Sequence, residues 1–91
     1  MSVSTKIHIL GKEYDIKGDD SEEYIHRVAL HVNNTMMQLK TSNQQIDSNM
    51  LHVLTSMTLA DEYMKTKDEL EKTRRELEKY KRSAYSNQLR R

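Results

Sequence analysis

The spacing of apolar positions changes along the chain, and each change marks an element. From Thr5 to Leu10 and from Glu13 to Lys17 the residues alternate, with Ile7 and Ile9 on one face of the first run and Tyr14 and Ile16 on one face of the second. Gly11-Lys12 joins the runs, and a glycine at the first turn position predicts a two-stranded hairpin with a type II′ turn. A lone hairpin is marginal in water, so its apolar face must lie on a helix or pair with a second copy.

After Gly18-Asp19-Asp20 the period lengthens to that of a helix. Ile25, Val28, Ala29, Val32, Met36 and Leu39 recur three and four residues apart, a single apolar stripe on a polar helix. Asp20 with Glu23 forms a capping-box pattern at its start, and the helix is expected to end near Lys40. Thr41 to Gln45 is a short polar connector, so the next helix folds back as a helical hairpin.

Asp47 is the second N-cap, and Ile46 with Leu51 supplies the apolar pair of a hydrophobic staple. From there to about Tyr85 there is neither proline nor glycine, which predicts a continuous helix on the order of 57 Å long at about 1.5 Å per residue. Its two halves carry different patterns. Met50, Leu51, Val53, Leu54, Met57, Leu59, Ala60, Tyr63 and Met64 cover much of the circumference, as expected of a helix buried against the first helix on one side and a partner subunit on another.

Beyond them the pattern narrows to Tyr63, Thr66, Leu70, Thr73, Leu77, Tyr80 and Ala84, a coiled-coil seam of modest strength. Asp68 with Lys72, Glu71 with Arg75 and Glu78 with Arg82 are acid-before-base pairs expected to support this helix. Leu54, Met57, Tyr63, Leu70, Leu77 and Tyr80 are the candidate self-association residues. Met36, Met50, Met57 and Met64, on the stripes, are expected to fill core, and Met37 to be exposed. The fold class is α+β and mostly α: a head over residues 1–63, then a coiled-coil extension over residues 64–91.

Composition sharpens the expectation of an oligomer. Apolar residues make up 35% of the 91, below the roughly 45–50% of an ordinary globular domain. A chain this short needs disulfides, a metal or association for stability, and it has no cysteine. Absence of cysteine fits a reducing cytoplasm, and no stretch reaches the roughly eighteen apolar residues of a membrane span. The formal charge of +1 gives no overall drive toward nucleic acid or membrane, although Lys79, Lys81, Arg82, Arg90 and Arg91 form a basic tail with no acid after Glu78.

Chemistry is harder to find. Of the four histidines, His8, His26, His31 and His52, the two on the first helix, His26 and His31, are five residues apart and point about 140° from one another, so they share no metal face. No phosphate loop, nucleophile elbow or zinc-protease motif occurs, and Asp61-Glu62 and Asp68-Glu69 diverge as neighbours on a helix. A non-catalytic protein without metal or cofactor is expected. On the residues alone, a nucleic-acid-binding coiled coil using the basic tail and a generic helical adaptor stay open beside a scaffold role.

Three stretches resemble the ZapA cell-division proteins: Ile9-Leu10-Gly11-Lys12-Glu13-Tyr14; Gly18-Asp19-Asp20-Ser21 through Val28-Ala29 to Val32 and Met36; and Ile46-Asp47 through Val53-Leu54-Thr55 to Asp61-Glu62-Tyr63. Their order and spacing carry the resemblance over nearly the whole chain. It departs from the family pattern at Gln44-Gln45, where a proline is common, and near Asn33, where an acidic residue is common. The resemblance implies a cytoplasmic homodimer or tetramer at the mid-cell division site that binds the tubulin-like protein FtsZ and crosslinks its protofilaments into the Z-ring. FtsZ-family proteins are acidic, so Lys12, Arg27 and Lys40 are the expected contacts.

Overall fold

The structure, a computed structural model, describes residues 3–89. Strands β1 (Val3–Ile9) and β2 (Lys12–Gly18) form an antiparallel hairpin, followed by helices α1 (Glu22–Ser42) and α2 (Ser48–Leu89). Two compact units result, Met1–Leu59 and Ala60–Arg91. The mostly helical α+β fold expected from the residue pattern is the one observed.

In the hairpin, Ile9 pairs with Lys12, so the turn residues are Leu10 and Gly11, one position earlier than expected. Both have positive φ, 49° at Leu10 and 78° at Gly11. That is the signature of a type I′ rather than a type II′ turn, whose twist matches that of the flanking strands. A leucine in the left-handed region costs roughly 1–2 kcal/mol. Asn33 of α1 offsets part of this cost: its Oδ1 accepts the Leu10 N–H at 2.8 Å. Gly11 is needed for its φ alone, since a Cβ there would meet nothing within 4 Å.

Helix α1 starts one residue later than the capping-box reading placed it. Ser21 is the N-cap, and its Oγ accepts from the Tyr24 N–H at 3.2 Å. The third helical position is therefore Tyr24, so Glu23 has no reciprocal role and instead joins Glu22 in the first turn, where acids complement the helix dipole. At the other end the helix runs past Lys40 to Ser42. The hydroxyls of Thr41 and Ser42 donate to the carbonyls of Met37 and Gln38, and the Asn43 amide nitrogens donate to Leu39. Helix α2 begins as expected, with Met50 N–H donating to Asp47 Oδ1 at 2.8 Å.

Among the described residues, close backbone contact between α1 and the hairpin is confined to β1. Two polar links fix it there: Asn33 to Leu10, and His26 Nε2, 3.1 Å from the carbonyl oxygen of Lys6. The core of this unit is small. Among the described residues its buried apolar ones are Ala29, Met36 and Leu51, and three threonines, Thr5, Thr35 and Thr55, are buried with them. Thr35 and Thr55 donate to the carbonyls four residues before them, at 2.8 and 2.7 Å. The Thr5 hydroxyl is buried with no hydrogen-bond partner.

Candidate functional site

The first half of α2 is built for association by what it lacks. From Ser48 to Ala60 there is no aspartate, glutamate, lysine or arginine, in a chain of which 32% is charged. Leu51 and Thr55 are buried within the head, and Leu54, Thr58 and Leu59 are half-buried. Met50, Val53 and Met57 stand in solvent, Met57 being 65% exposed. The expectation that Met50, Met57 and Met64 fill core fails in the single chain, where Met36 alone of those four is buried. One side of this half of α2, at Leu51 and Thr55, is covered within the chain, and the side that carries Met50, Val53 and Met57 is an open apolar surface.

Farther along α2, Tyr63, Leu70, Leu77 and Tyr80 are all exposed, at intervals of seven, seven and three that line one face of a helix. Around them the chain is charged. Lys65 pairs with Asp61 at 3.0 Å, again acid before base. The expected pairs Asp68–Lys72, Glu71–Arg75 and Glu78–Arg82 are not among the ion pairs of the described residues. At an exposed helix surface, holding two long side chains together costs about as much as their attraction returns. Arg74, Arg75, Lys79 and Arg82 alternate with Glu71 and Glu78 along one shallow, mixed-charge groove. Arg90 and Arg91 of the basic tail lie outside the described residues.

The head presents its candidate cations at separate points. Lys12 opens β2 directly after the turn, and Lys40 lines an open groove with His8, Leu10, Gly11, Asn33, Met37 and Gln44. Both are exposed, and neither has an ion-pair partner among the described residues. Arg27 is placed elsewhere: thirteen residues before Lys40 on one helix, it points roughly 140° away around the axis. Its guanidinium lies over the Tyr24 ring, 5.4 Å from the centroid. The structure thus brings Lys12 and Lys40 to the hairpin-turn end of the head and leaves Arg27 apart.

Elsewhere on the hairpin, Glu13 gathers two outward-facing side chains. It lies 3.1 Å from Lys6 Nζ and 3.2 Å from His8 Nε2, so Lys6 already has an acidic partner. The acids of the head concentrate at the opposite end, in Asp19, Asp20, Glu22 and Glu23. Asn33, which the sequence marks only as a departure from the family pattern, anchors the turn. An asparagine off the apolar stripe of a helix gives no local sign that it will hold a distant hairpin. Among the described residues, no group of three histidine, cysteine, aspartate or glutamate side chains could hold a metal ion, and no described helix is long and apolar enough to cross a membrane. The geometry on view supports binding through surfaces.

Comparison with known proteins agrees with this arrangement. The model of the family described as "Cell division protein ZapA" matches residues 5–91. The cell division protein ZapA of Shouchella clausii is 36% identical over 59 residues, spanning 65% of this chain and 76% of that protein. Its counterpart from Bacillus thuringiensis is 34% identical over 59 residues, spanning 65% of this chain and 66% of that protein. Among solved structures, a ZapA mutant dimer from Geobacillus stearothermophilus is similar with a TM-score of 0.68 and 31% identity, over 86% of this chain and 91% of that one.

Proposed function

This chain belongs to the ZapA family of cell-division proteins, and from that premise we propose that it is a non-catalytic scaffold that binds FtsZ. Copies associate through α2, and the paired heads crosslink FtsZ protofilaments at the mid-cell division site. One observation carries the mechanism: a single chain holds both an exposed apolar seam, Leu70, Leu77 and Tyr80, and a head whose lysines Lys12 and Lys40 have no ion-pair partner among the described residues. The seam makes the assembly at least bivalent. Bivalency converts weak single-head binding into tight bridging, because once one head is bound the second searches a small volume.

Contact with an acidic filament is assigned to the hairpin-turn end, where Lys12 and Lys40 stand away from the carboxylates of Asp19, Asp20, Glu22 and Glu23. Such contacts steer encounter and weaken with salt. Arg27, already stacked on Tyr24, belongs to the same function as a flanking contact. Co-sedimentation with polymerised FtsZ tests the reading, run with the full chain and with a chain ending at Glu78. Both are expected to pellet with the polymer, and Lys12→Glu with Lys40→Glu to lower the bound fraction severalfold. A full chain that stays in the supernatant refutes the FtsZ assignment.

A further inference from the structure

A second stripe runs along α1 beside the buried one. Leu30, Asn33, Met37 and Lys40 follow at intervals of three, four and three, which sets them on one face of the helix. Leu30 is 59% and Met37 52% exposed, so this face carries two large apolar side chains that the head leaves uncovered. Where it borders β1 lie two adjoining hollows that share His8 and Asn33. Leu30 and Lys6 line one of them, and Leu10, Met37 and Lys40 the other. No aspartate or glutamate lines either hollow.

Asn33 organises this track. Its Oδ1 accepts from the Leu10 N–H at 2.8 Å, and its Nδ2 donates to Met37 Sδ at 3.5 Å. One side chain thereby ties both apolar residues of the second hollow to α1. Leucine is disfavoured at the positive φ of position 10, where glycine or asparagine sits more easily. Its half-buried side chain supplies an apolar floor that neither of those residues would.

We infer that this groove binds an extended acidic segment of a partner protein, with one apolar side chain beside Leu30, a second on Leu10 and Met37, and carboxylates beside Lys40. Three observations select that occupant. Leu30 and Met37 are two helical turns apart, about 10.5 Å at about 1.5 Å per residue, a span that about three residues of extended chain cover at about 3.3 Å each. Charge complementarity calls for acid: lysines and histidines line the groove, and Lys40 has no ion-pair partner among the described residues, although Lys6 and His8 already face Glu13. A nucleic-acid strand would need aromatic stacking platforms, and no tyrosine lines either hollow. The inference goes beyond the filament reading, which placed cations at this end of the head without an apolar anchor, and it stands without FtsZ.

Fluorescence anisotropy on the full chain tests it, with a short blocked peptide of glutamates and serines that carries two leucines three residues apart. Saturable binding is expected, about tenfold weaker when serines replace the leucines or lysines replace the glutamates. Met37→Ser and Lys40→Glu are each expected to weaken it severalfold. Both side chains are exposed, and an unchanged circular dichroism spectrum verifies that the variants keep the fold. Absence of saturable binding, or equal affinity for the leucine and serine peptides, overturns the inference.

The lack of native cysteine allows a second readout. In assembled Met37→Cys protein the thiol is expected to react with a maleimide as fast as a free thiol does, and to be shielded once the leucine peptide saturates the chain. A thiol shielded before peptide is added would mean that another copy already covers the groove, and it too overturns the inference. A chain that binds the peptide and fails to pellet with FtsZ removes the filament reading alone. One that pellets and fails to bind the peptide removes the groove alone.

Discussion

The two units of the chain solve the problem of a small apolar content in opposite ways. The head collects its apolar residues over several elements, keeps the stretch from Ser48 to Ala60 free of charge, and still leaves Tyr14, Ile16, Val53 and Met57 in solvent. The helix from Ala60 onward spends few apolar residues, one every three or four positions, and surrounds them with acids and bases. Both leave an apolar surface open, but the head's is broad and the rod's is narrow. A broad surface can complete a fold, whereas a narrow one can only align two helices. The head's surface is thus broad enough to complete a fold, and the rod's only to align helices.

That contrast can be broken most forcefully at the seam. Leu70→Glu with Leu77→Glu places charges in an apolar contact, where an unpaired buried charge costs about 3–5 kcal/mol. The solution mass from light scattering is expected to fall. An unchanged mass removes the seam from the assembly. Next in size is the head core. Leu51→Ala is expected to cost about 2–5 kcal/mol, as for other buried leucines, read from denaturant melts. A loss under 1 kcal/mol would mean that Leu51 is not part of a packed core.

A smaller effect is expected where helix and hairpin meet. Asn33→Ala leaves the Leu10 N–H without its acceptor and should cost about 1–3 kcal/mol, whereas Asn33→Asp keeps an acceptor and restores most of it. Equal stabilities for the two variants would discount the turn anchor. Smallest is Thr5→Val, which removes the buried unpaired hydroxyl with nearly the same shape. Its melting temperature should rise by the equivalent of about 1 kcal/mol. A lower one would show that the hydroxyl has a partner in the assembled protein.

Much of this was legible in the residue pattern, because alternation and helical spacing are local signals. The hairpin, the stripe on α1, the Asp47 cap and the long α2 could all be read so. What could not be read depended on contacts across the chain. Leu10 adopts a left-handed turn conformation that its side chain disfavours, and nothing near it in sequence announces Asn33 as the group that holds it. Likewise, Met36 and Met57 sit on equally apolar stripes, and only the packing of α1 on β1 and of α2 within the head separates the buried one from the exposed one. The candidate cations behaved similarly: spacing alone could not show that Lys12 and Lys40 share an end of the head while Arg27 is held over Tyr24.

The proposed scaffold works through copies joined along α2, so the assembled protein is expected to be more stable than the single chain. Thermal unfolding of the full chain, followed by far-ultraviolet circular dichroism over a hundredfold range of protein concentration, tests it directly. Folding linked to association makes the midpoint climb with concentration, and the account predicts that climb, with helix loss coinciding with the fall in mass on dilution. A midpoint that stays fixed while a folded monomer persists at the lowest concentration would contradict it.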